Sequence, residues 1–403
     1  MKKIKQKIKN YFLYLKLKKQ KVDYTFENIQ ENSLLIIDDK LPEYDKDSGS
    51  RRLDIIIDIL LEKGIQVFLM ADKKEYKYNT EYCEYYRSKG VQVYYPSIYQ
   101  SKLLTREMFL SVVLSKCKTV WLHRPLIFHK NYSIIKKINS KALLIYDMVD
   151  FHYLRMKREA QLKNDSKLDI LAQNFLKIEL ENCSNADVIL AISKEDKSNL
   201  LSYYPNDSKI EIVGNIHQFI NQNTNYLKFQ DRKNLLFVGG FDHLPNRDAV
   251  VFLKSEIMPL VWQSIPNLEV NIVGSNATDK ILSLQSDRFN IIGYVKDLSE
   301  YYNSHRLFIA PLRFGAGVKG KIGQSLEYGL PIVTTDIGAE GYDFGAFYDN
   351  CIANDPKDFS EKIVKLYQDE NLWNNLTSYS EQVLSPFSYD ATSNTIYKIV
   401  SKA

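Results

Sequence analysis

Between Pro311 and Lys321 the chain reads PLRFGAGVKGK. Gly315, Gly317 and Gly320 allow a tight loop in which backbone N–H groups, including that of Val318, turn toward an anion. Lys319 and Lys321 add positive charge at the start of a helical pattern, Ile322–Tyr328, which Gly329 and Pro331 stop. Lysines at a helix N-terminus oppose the helix dipole, so their placement there points to an anionic ligand. The pattern is not the GxxxxGK loop followed by Ser or Thr, because Ile322 follows Lys321. A strand pattern enters the loop (LFIA) and GLPIVTT leaves it, which suits a diphosphate held over the end of a parallel sheet.

Other candidates lie where strand patterns end. Asp47-Ser48-Gly49-Ser50-Arg51 precedes an amphipathic run, Leu53–Glu62. Ser48 or Ser50 is placed to cap that helix, and Gly49 permits close backbone approach to a ligand; an ordinary capped turn accounts for the same residues. His123-Arg124 follows KTVWL, and Asp150 and His152 follow ALLIYDMV. A histidine in such a place is more often a cap or a core residue than a catalyst. Its imidazole could still donate a hydrogen bond to a ligand. Asn215 and His217 follow a strand pattern at Ile210–Val213, and Gly239-Gly240 follows NLLFV. Asp45-Lys46-Asp47 has Asp-x-Asp spacing but lies in the loop before the first amphipathic run, so no essential metal and no cofactor are expected.

The elements that must position these residues alternate. Strand patterns at Ser33–Asp38, Gln66–Met70, Val91–Tyr95, Lys118–Leu122, Ala142–Tyr146, Asp187–Ile192 and Ile210–Val213 are separated by helical stretches. Residues 218–231 are polar and aperiodic and read as a linker. A second alternating series starts at Asn234–Val238 and runs through Glu269–Val273, Asn290–Ile292, Leu307–Ala310 and Ile332–Thr334. The expected class is α/β, with two mostly parallel sheets over residues 23–217 and 232–385 and a last amphipathic helix within 386–403.

The length of 403 residues agrees with two domains. Four scattered cysteines give neither a disulfide framework nor a zinc site, which points to a reducing, cytoplasmic home. No apolar run reaches spanning length, and the N-terminus lacks the pattern of a signal peptide. The net charge of +5 is concentrated, because residues 2–21 hold nine lysines and no acid. Within residues 1–22, Ile4, Ile8, Tyr11, Phe12 and Leu15 recur at helical spacing among those lysines. This segment is suited to lie on an anionic membrane surface, although a solvated basic helix explains it too. The rest of the chain is slightly acidic, which argues against a nucleic-acid partner.

The stretch FVGGFDHLPNRDAVVFL…VNIVGSN…IIGYVKDLSEYY…APLRFGAGVKGKIGQSLEYGLPIVTTDIGAEG resembles the C-terminal half of a family 4 retaining glycosyltransferase of the GT-B fold. The subgroup it resembles is found in bacterial O-antigen and surface-polysaccharide clusters. Asp38, the Asp47–Arg51 stretch, YDMVDFHYLR at 146–155 and Arg158-Glu159-Ala160 extend the likeness, which covers roughly residues 33–341. The resemblance implies two facing Rossmann-like domains with a nucleotide-sugar in the cleft, held mostly by the C-terminal domain. Lys319 and Lys321 would hold the diphosphate, with Gly240, Gly315, Gly317 and Val318 around the donor. Ser48, Gly49 and Ser50 would approach from the other wall. His152 would lie near the donor sugar, with Asp150, His123 and Arg124 toward the sugar or acceptor. The acceptor would be a glycan or a lipid- or protein-linked hydroxyl at the inner face of the membrane, and the last helix would cross back to the N-terminal domain. Two glutamates usual in this family, eight positions apart, are Ala316 and Gln324 here. Gln324 retains hydrogen-bonding capacity for a ribose, whereas Ala316 leaves the sugar contact open. That loss also fits a non-catalytic GT-B module supporting a partner enzyme. Glu327 is expected on the surface.

Overall fold

The computed structural model describes residues 2–73, 76–218 and 227–401, with the side chains of residues 2–6 left out of the description. Two parallel sheets realise the alternation. The first has the order β3-β2-β1-β6-β7-β8-β9. Its strands are β1 Ser33–Asp38, β2 Gln66–Ala71, β3 Gln92–Val93, β6 Thr119–His123, β7 Leu143–Asp147, β8 Val188–Ala191 and β9 Ile210–Ile212. A small antiparallel hairpin, β4 Ile98–Tyr99 with β5 Lys102–Leu103, stands apart from it. The second sheet has the order β12-β11-β10-β13-β14. It comprises β10 Lys233–Val238, β11 Val270–Val273, β12 Phe289–Gly293, β13 His305–Ala310 and β14 Ile332–Thr334.

Both sheets are buried on two faces, which is why their strands read as continuous apolar runs. In β1 all six residues are buried. Leu35 and Ile37 enter one core cluster while Leu34 and Ile36 enter the other, the alternation of a pleated strand. In each sheet the strand order reverses once, between β1 and β6 and between β10 and β13. Ligands of such sheets collect at the carboxyl ends of strands beside that reversal. The loops leaving those four strands carry Ser48-Gly49, Arg124, Gly239–His243 and Pro311–Lys319.

The helix after β1, Ser48–Glu62, begins five residues before the amphipathic run, and its cap is Asp47, not Ser48 or Ser50. Asp47 Oδ1 accepts from the Ser50 N–H at 2.8 Å, which satisfies an otherwise unpaired helix donor. Ser193 caps Lys194–Leu201 as its position suggests, accepting from the Asp196 N–H at 3.0 Å. The helices His152–Lys163 and Ser166–Asn185 form a packed hairpin. The last helix, Tyr389–Val400, lies on Ser48–Glu62, and Ile396 and Ile399 join a core cluster with Leu53 and Ile57. Of the expected linker, residues 219–226 lie outside the described residues; Phe229–Asp231 form a single 3₁₀ turn.

At the other terminus, helix Lys2–Lys19 touches the β4–β5 hairpin and exposes Ile8, Tyr11, Phe12 and Leu15. These residues share one helical face. Among the described residues no helix is long and apolar enough to cross a membrane.

A buried polar network lies under the carboxyl ends of the first sheet. Arg52, 2% exposed, donates to Asp147 Oδ2 at 2.8 Å and to the Val213 and Gly214 carbonyls. Trp121 Nε1 also reaches Asp147 Oδ2. Removing one member of a buried pair leaves the other charge uncompensated. Arg52→Ala should therefore cost about 3 kcal/mol or more, read as a lowered urea midpoint at unchanged m-value. A loss below about 1 kcal/mol, the range of an exposed pair, would contradict this placement.

Candidate active site

The Gly-rich loop joins β13 to the helix Gly320–Glu327, with Gly315 and Gly317 at φ +148° and +71°. Only glycine adopts the first of these at low cost. The two lysines diverge. Lys319 Nζ donates to the Gly317 carbonyl and lies 3.4 Å from Glu340 Oε2. Lys321 Nζ donates to Asn246 Oδ1 and stands 5.0 Å from the Phe237 ring centroid. Among the described residues no carboxylate pairs with Lys321. Burial, and then the Lys319 charge, push its ammonium down to about 7. Lys321 is thus a partly desolvated cation whose best remaining partner is an anion. Gly239 makes room for it, since a Cβ there would lie 2.7 Å from Lys321 Nζ.

The opposite wall meets this one at Ser48. A Cβ on Gly320 would overlap Ser48 Cβ, so the helices Ser48–Glu62 and Gly320–Glu327 begin in contact. Their N-termini present unpaired N–H groups and positive dipole ends to a common region. Gly49 lies close by; a Cβ there would be 3.7 Å from Val149 Cγ1 and 3.9 Å from an Arg124 guanidinium nitrogen. Arg124 and Val149, at the ends of adjacent strands β6 and β7, have φ +84° and +67°. For a β-branched residue this is strained backbone of the kind that clusters at functional sites.

His152 opens its helix beside this corner. Its Nδ1 is 2.6 Å from Asp150 Oδ1, and its ring stacks on Phe175 at 5.6 Å. Arg155 Nε holds the other Asp150 oxygen at 2.7 Å. Burial opposes a charged imidazole, yet Asp150 outweighs it and raises the His152 pKa. Glu179 accepts the His152 and Tyr153 backbone N–H groups at 3.0 and 2.9 Å, capping this helix from its neighbour. With Nδ1 fixed by the carboxylate, Nε2 is the ring nitrogen left for a ligand, and Asp150 serves to orient it. Gln324 is half-buried on the Gly320 helix, where its Oε1 lies 3.4 Å from the Tyr302 hydroxyl. That contact leaves its amide N–H₂ to donate. Ala316 offers no polar group, and Gly240 and Val318 contribute backbone only.

Several residues stand elsewhere than their sequence positions suggest. His123 is fully buried, with Nδ1 2.9 Å from Asp38 Oδ2, because its side chain points into the core from the last position of β6. It supports the wall but is shut off from a sugar. Arg124 is half-exposed and bonds Asp38 Oδ1 at 2.9 Å. The Ser50 hydroxyl is buried and donates to Asp47 Oδ2, so only its backbone belongs to the site. Glu327 is not a surface residue: it is 3% exposed, 3.1 Å from Arg51 and 2.8 Å from His217 Nδ1. His217 is accordingly an interdomain strut and not a cleft residue. A second strut is Arg158, which donates to the Gly315 carbonyl at 2.8 Å and pairs with Glu340 at 3.1 Å. The sequence singled out neither Arg158–Glu340 nor Asp196. The Asp196 carboxylate is buried and has no hydrogen-bond partner among the described residues; Oδ2 lies 3.3 Å from where a Gly317 Cβ would sit. Burial and Glu340 raise its pKa far above the usual carboxylate range. Among the described residues no group of three or more His, Cys, Asp or Glu side chains is arranged to hold a metal ion.

Two switch-point sheets facing each other across a cleft define the GT-B fold. Solved structures agree. Sucrose-phosphate synthase from Thermosynechococcus elongatus superposes with TM-score 0.66 at 13% identity, over 92% of this chain and 98% of that one. Anabaena Alr3699/HepE in complex with UDP-glucose gives 0.66 at 11%, over 92% and 100%. A Staphylococcus aureus TarM variant in complex with fondaparinux, α-GlcNAc-glycerol and UDP gives 0.68 at 10%, over 91% and 99%. Residues 232–369, most of the second domain, match the family model described as glycosyl transferases group 1. A curated relative, an uncharacterized 44.6 kDa protein in the cps region of Klebsiella pneumoniae, is 28% identical over 218 residues. That match spans 51% of this chain and 52% of the relative.

The contact of Ser48 with Gly320 is directly testable. Gly320→Ala should overpack the contact with Ser48 and lower stability by about 1–3 kcal/mol. Adding Ser48→Gly should recover most of that loss. Urea unfolding of both variants reads the effect, and an unchanged midpoint for Gly320→Ala would refute the contact.

Proposed function

We propose that the protein is a family 4 glycosyltransferase that moves a sugar from a nucleoside-diphosphate sugar to an acceptor hydroxyl with retention. The observation that carries this reading is the pair of helix N-termini meeting at Ser48 and Gly320, with Lys321 buried beside them and lacking a carboxylate partner among the described residues. Such a site fits a diphosphate. The UDP-glucose complex of the Anabaena structure, which shares the fold, supports a nucleotide-sugar as the donor.

In the proposed reaction the bond from the sugar C1 to the β-phosphate oxygen breaks, and its electron pair stays on that oxygen. The acceptor oxygen bonds C1 on the same face and gives its proton to the departing phosphate. Lys321, Lys319 and the two helix ends stabilise the developing charge, which removes the need for a divalent ion. His152 Nε2, aligned by Asp150, holds a sugar hydroxyl or the phosphate oxygen. Gln324 takes the ribose.

The role in surface-glycan synthesis at the inner face of the membrane draws on the cps-region name of the Klebsiella relative and on the helix Lys2–Lys19. That helix exposes Ile8, Tyr11, Phe12 and Leu15 among lysines, a surface suited to anionic lipid. One observation favours a second reading. Ala316 provides no carboxylate, as in a module that binds nucleotide without turning it over.

Purified protein incubated with UDP-, GDP- and dTDP-sugars and glycan acceptors, followed by mass spectrometry, distinguishes the two. Transfer in the presence of EDTA is expected. Lys321→Ala should lower turnover about 100-fold or more with the fold intact, and His152→Ala should lower turnover while nucleotide binding persists. Wild-type rates in Lys321→Ala would refute the assignment, and binding without any turnover would favour the non-catalytic module.

A further inference from the structure

Arg124 is a cation of the N-terminal domain that the proposed reaction leaves unused. It stands between the helix Pro125–Ile138 and β6, a strand at which the first sheet reverses its order. Its backbone has φ +84° and ψ +149°. Pro125 accounts for the extended ψ, but a residue before proline ordinarily keeps φ negative. Only glycine enters this region at low cost. Two backbone bonds hold the strain in place. The Arg124 N–H donates to the Asp147 carbonyl at 2.8 Å, and the Phe128 N–H donates to the Arg124 carbonyl at 3.1 Å. Strain of this kind persists where the surroundings over-determine it, and it clusters at ligand clamps.

The side chain is held as firmly as the backbone. Arg124 Nε donates to Asp38 Oδ1 at 2.9 Å. Asp38 is itself buried, and its Oδ2 lies 2.9 Å from His123 Nδ1. The two terminal nitrogens of the guanidinium have no hydrogen-bond partner among the described residues. The side chain is 31% exposed, so it opens on solvent. One terminal nitrogen lies 3.9 Å from the point a Gly49 Cβ would occupy, at the start of helix Ser48–Glu62. The other carboxylates that act on this guanidinium are engaged elsewhere. Asp47 accepts from the Ser50 N–H and hydroxyl, and Asp150 is held by His152 and Arg155. A planar fork with both terminal nitrogens free, fixed from behind by a buried carboxylate, matches the oxygens of a phosphate.

We propose that Arg124 is a phosphate-binding residue of the N-terminal wall, which grips the nucleotide-sugar diphosphate opposite Lys321. The inference rests on the reading of this cleft as a donor site. The diphosphate then lies between a fork fixed to the first sheet and an ammonium fixed to the second. Its charge holds the two domains together across the cleft. When the bond from C1 to the phosphate oxygen breaks, the electron pair stays on that oxygen. Arg124 hydrogen-bonds the departing phosphate and keeps all its protons. It thus serves the leaving group and not the sugar or the acceptor.

The test is calorimetric titration of the full chain with UDP, GDP and dTDP, and with UDP-glucose, GDP-mannose and dTDP-rhamnose. Wild type is compared with two variants. Arg124→Lys keeps the charge without the fork. Arg124→Gly suits the backbone and leaves a gap that added methylguanidinium can fill. Both should bind the diphosphate about 10-fold or more weakly, the scale of a charge-assisted hydrogen bond. Methylguanidinium should recover part of that loss in Arg124→Gly and leave the wild type and Arg124→Lys unchanged. Thermal unfolding verifies that the variants are folded, and Arg124→Lys decides alone if Arg124→Gly is not. Wild-type affinity in the folded variants would overturn the inference. So would a loss in folded Arg124→Gly that methylguanidinium does not recover, the mark of a residue that only props Asp38. If the wild type bound none of these ligands, the donor-site reading itself would fall, and the inference with it.

Discussion

Everything in this structure turns on two helix N-termini brought together with only the Ser48 side chain between them. Each carries unpaired N–H groups and a positive dipole end, and two such ends repel unless negative charge lies with them. The absence of a Cβ at Gly320 lets Ser48 come this close. Arg51 and His217 on Glu327 secure one flank of the contact, and Arg158 on Glu340 and on the Gly315 carbonyl secures the other. The domains are thus clamped by ion pairs around a spot that is itself electropositive. A fold that spends buried carboxylates on its struts leaves the positive charge in the cleft for a ligand.

The two lysines show how position in the chain and role diverge. Two residues apart, Lys319 and Lys321 look equivalent in sequence. Lys319 is answered by Glu340 and by a loop carbonyl, so part of its charge maintains the loop. Lys321 rests against Phe237 and Asn246, neither of which bears charge. In the proposed reaction Lys321 is therefore the larger electrostatic resource for a departing phosphate, and Lys319 the larger structural one.

The strands of the two sheets were legible because parallel strands buried on both faces need uninterrupted apolar runs, as in SLLIID and NLLFV. The glycine-and-lysine loop was legible because its chemistry is contiguous. The struts were not, since Arg51 and Glu327 are 276 residues apart and Arg158 and Glu340 182 apart, and no local pattern reports such pairs. His123 misled for a related reason. Its place after a strand suggested the cleft, but the pleat sends its side chain down to Asp38. Ser50 lost the capping role to Asp47, a residue equally suited by type and three positions earlier.

The most direct test of the account is a crystal structure with the nucleotide-sugar that binds best. The account predicts the diphosphate between the two domains, with phosphate oxygens in hydrogen-bond reach of Lys321 Nζ and of backbone N–H groups at Ser48-Gly49 and in the Gly317–Lys321 segment. A nucleotide bound away from the junction of Ser48 and Gly320, or one whose phosphates face solvent while Lys321 keeps only Asn246 as its partner, would contradict it.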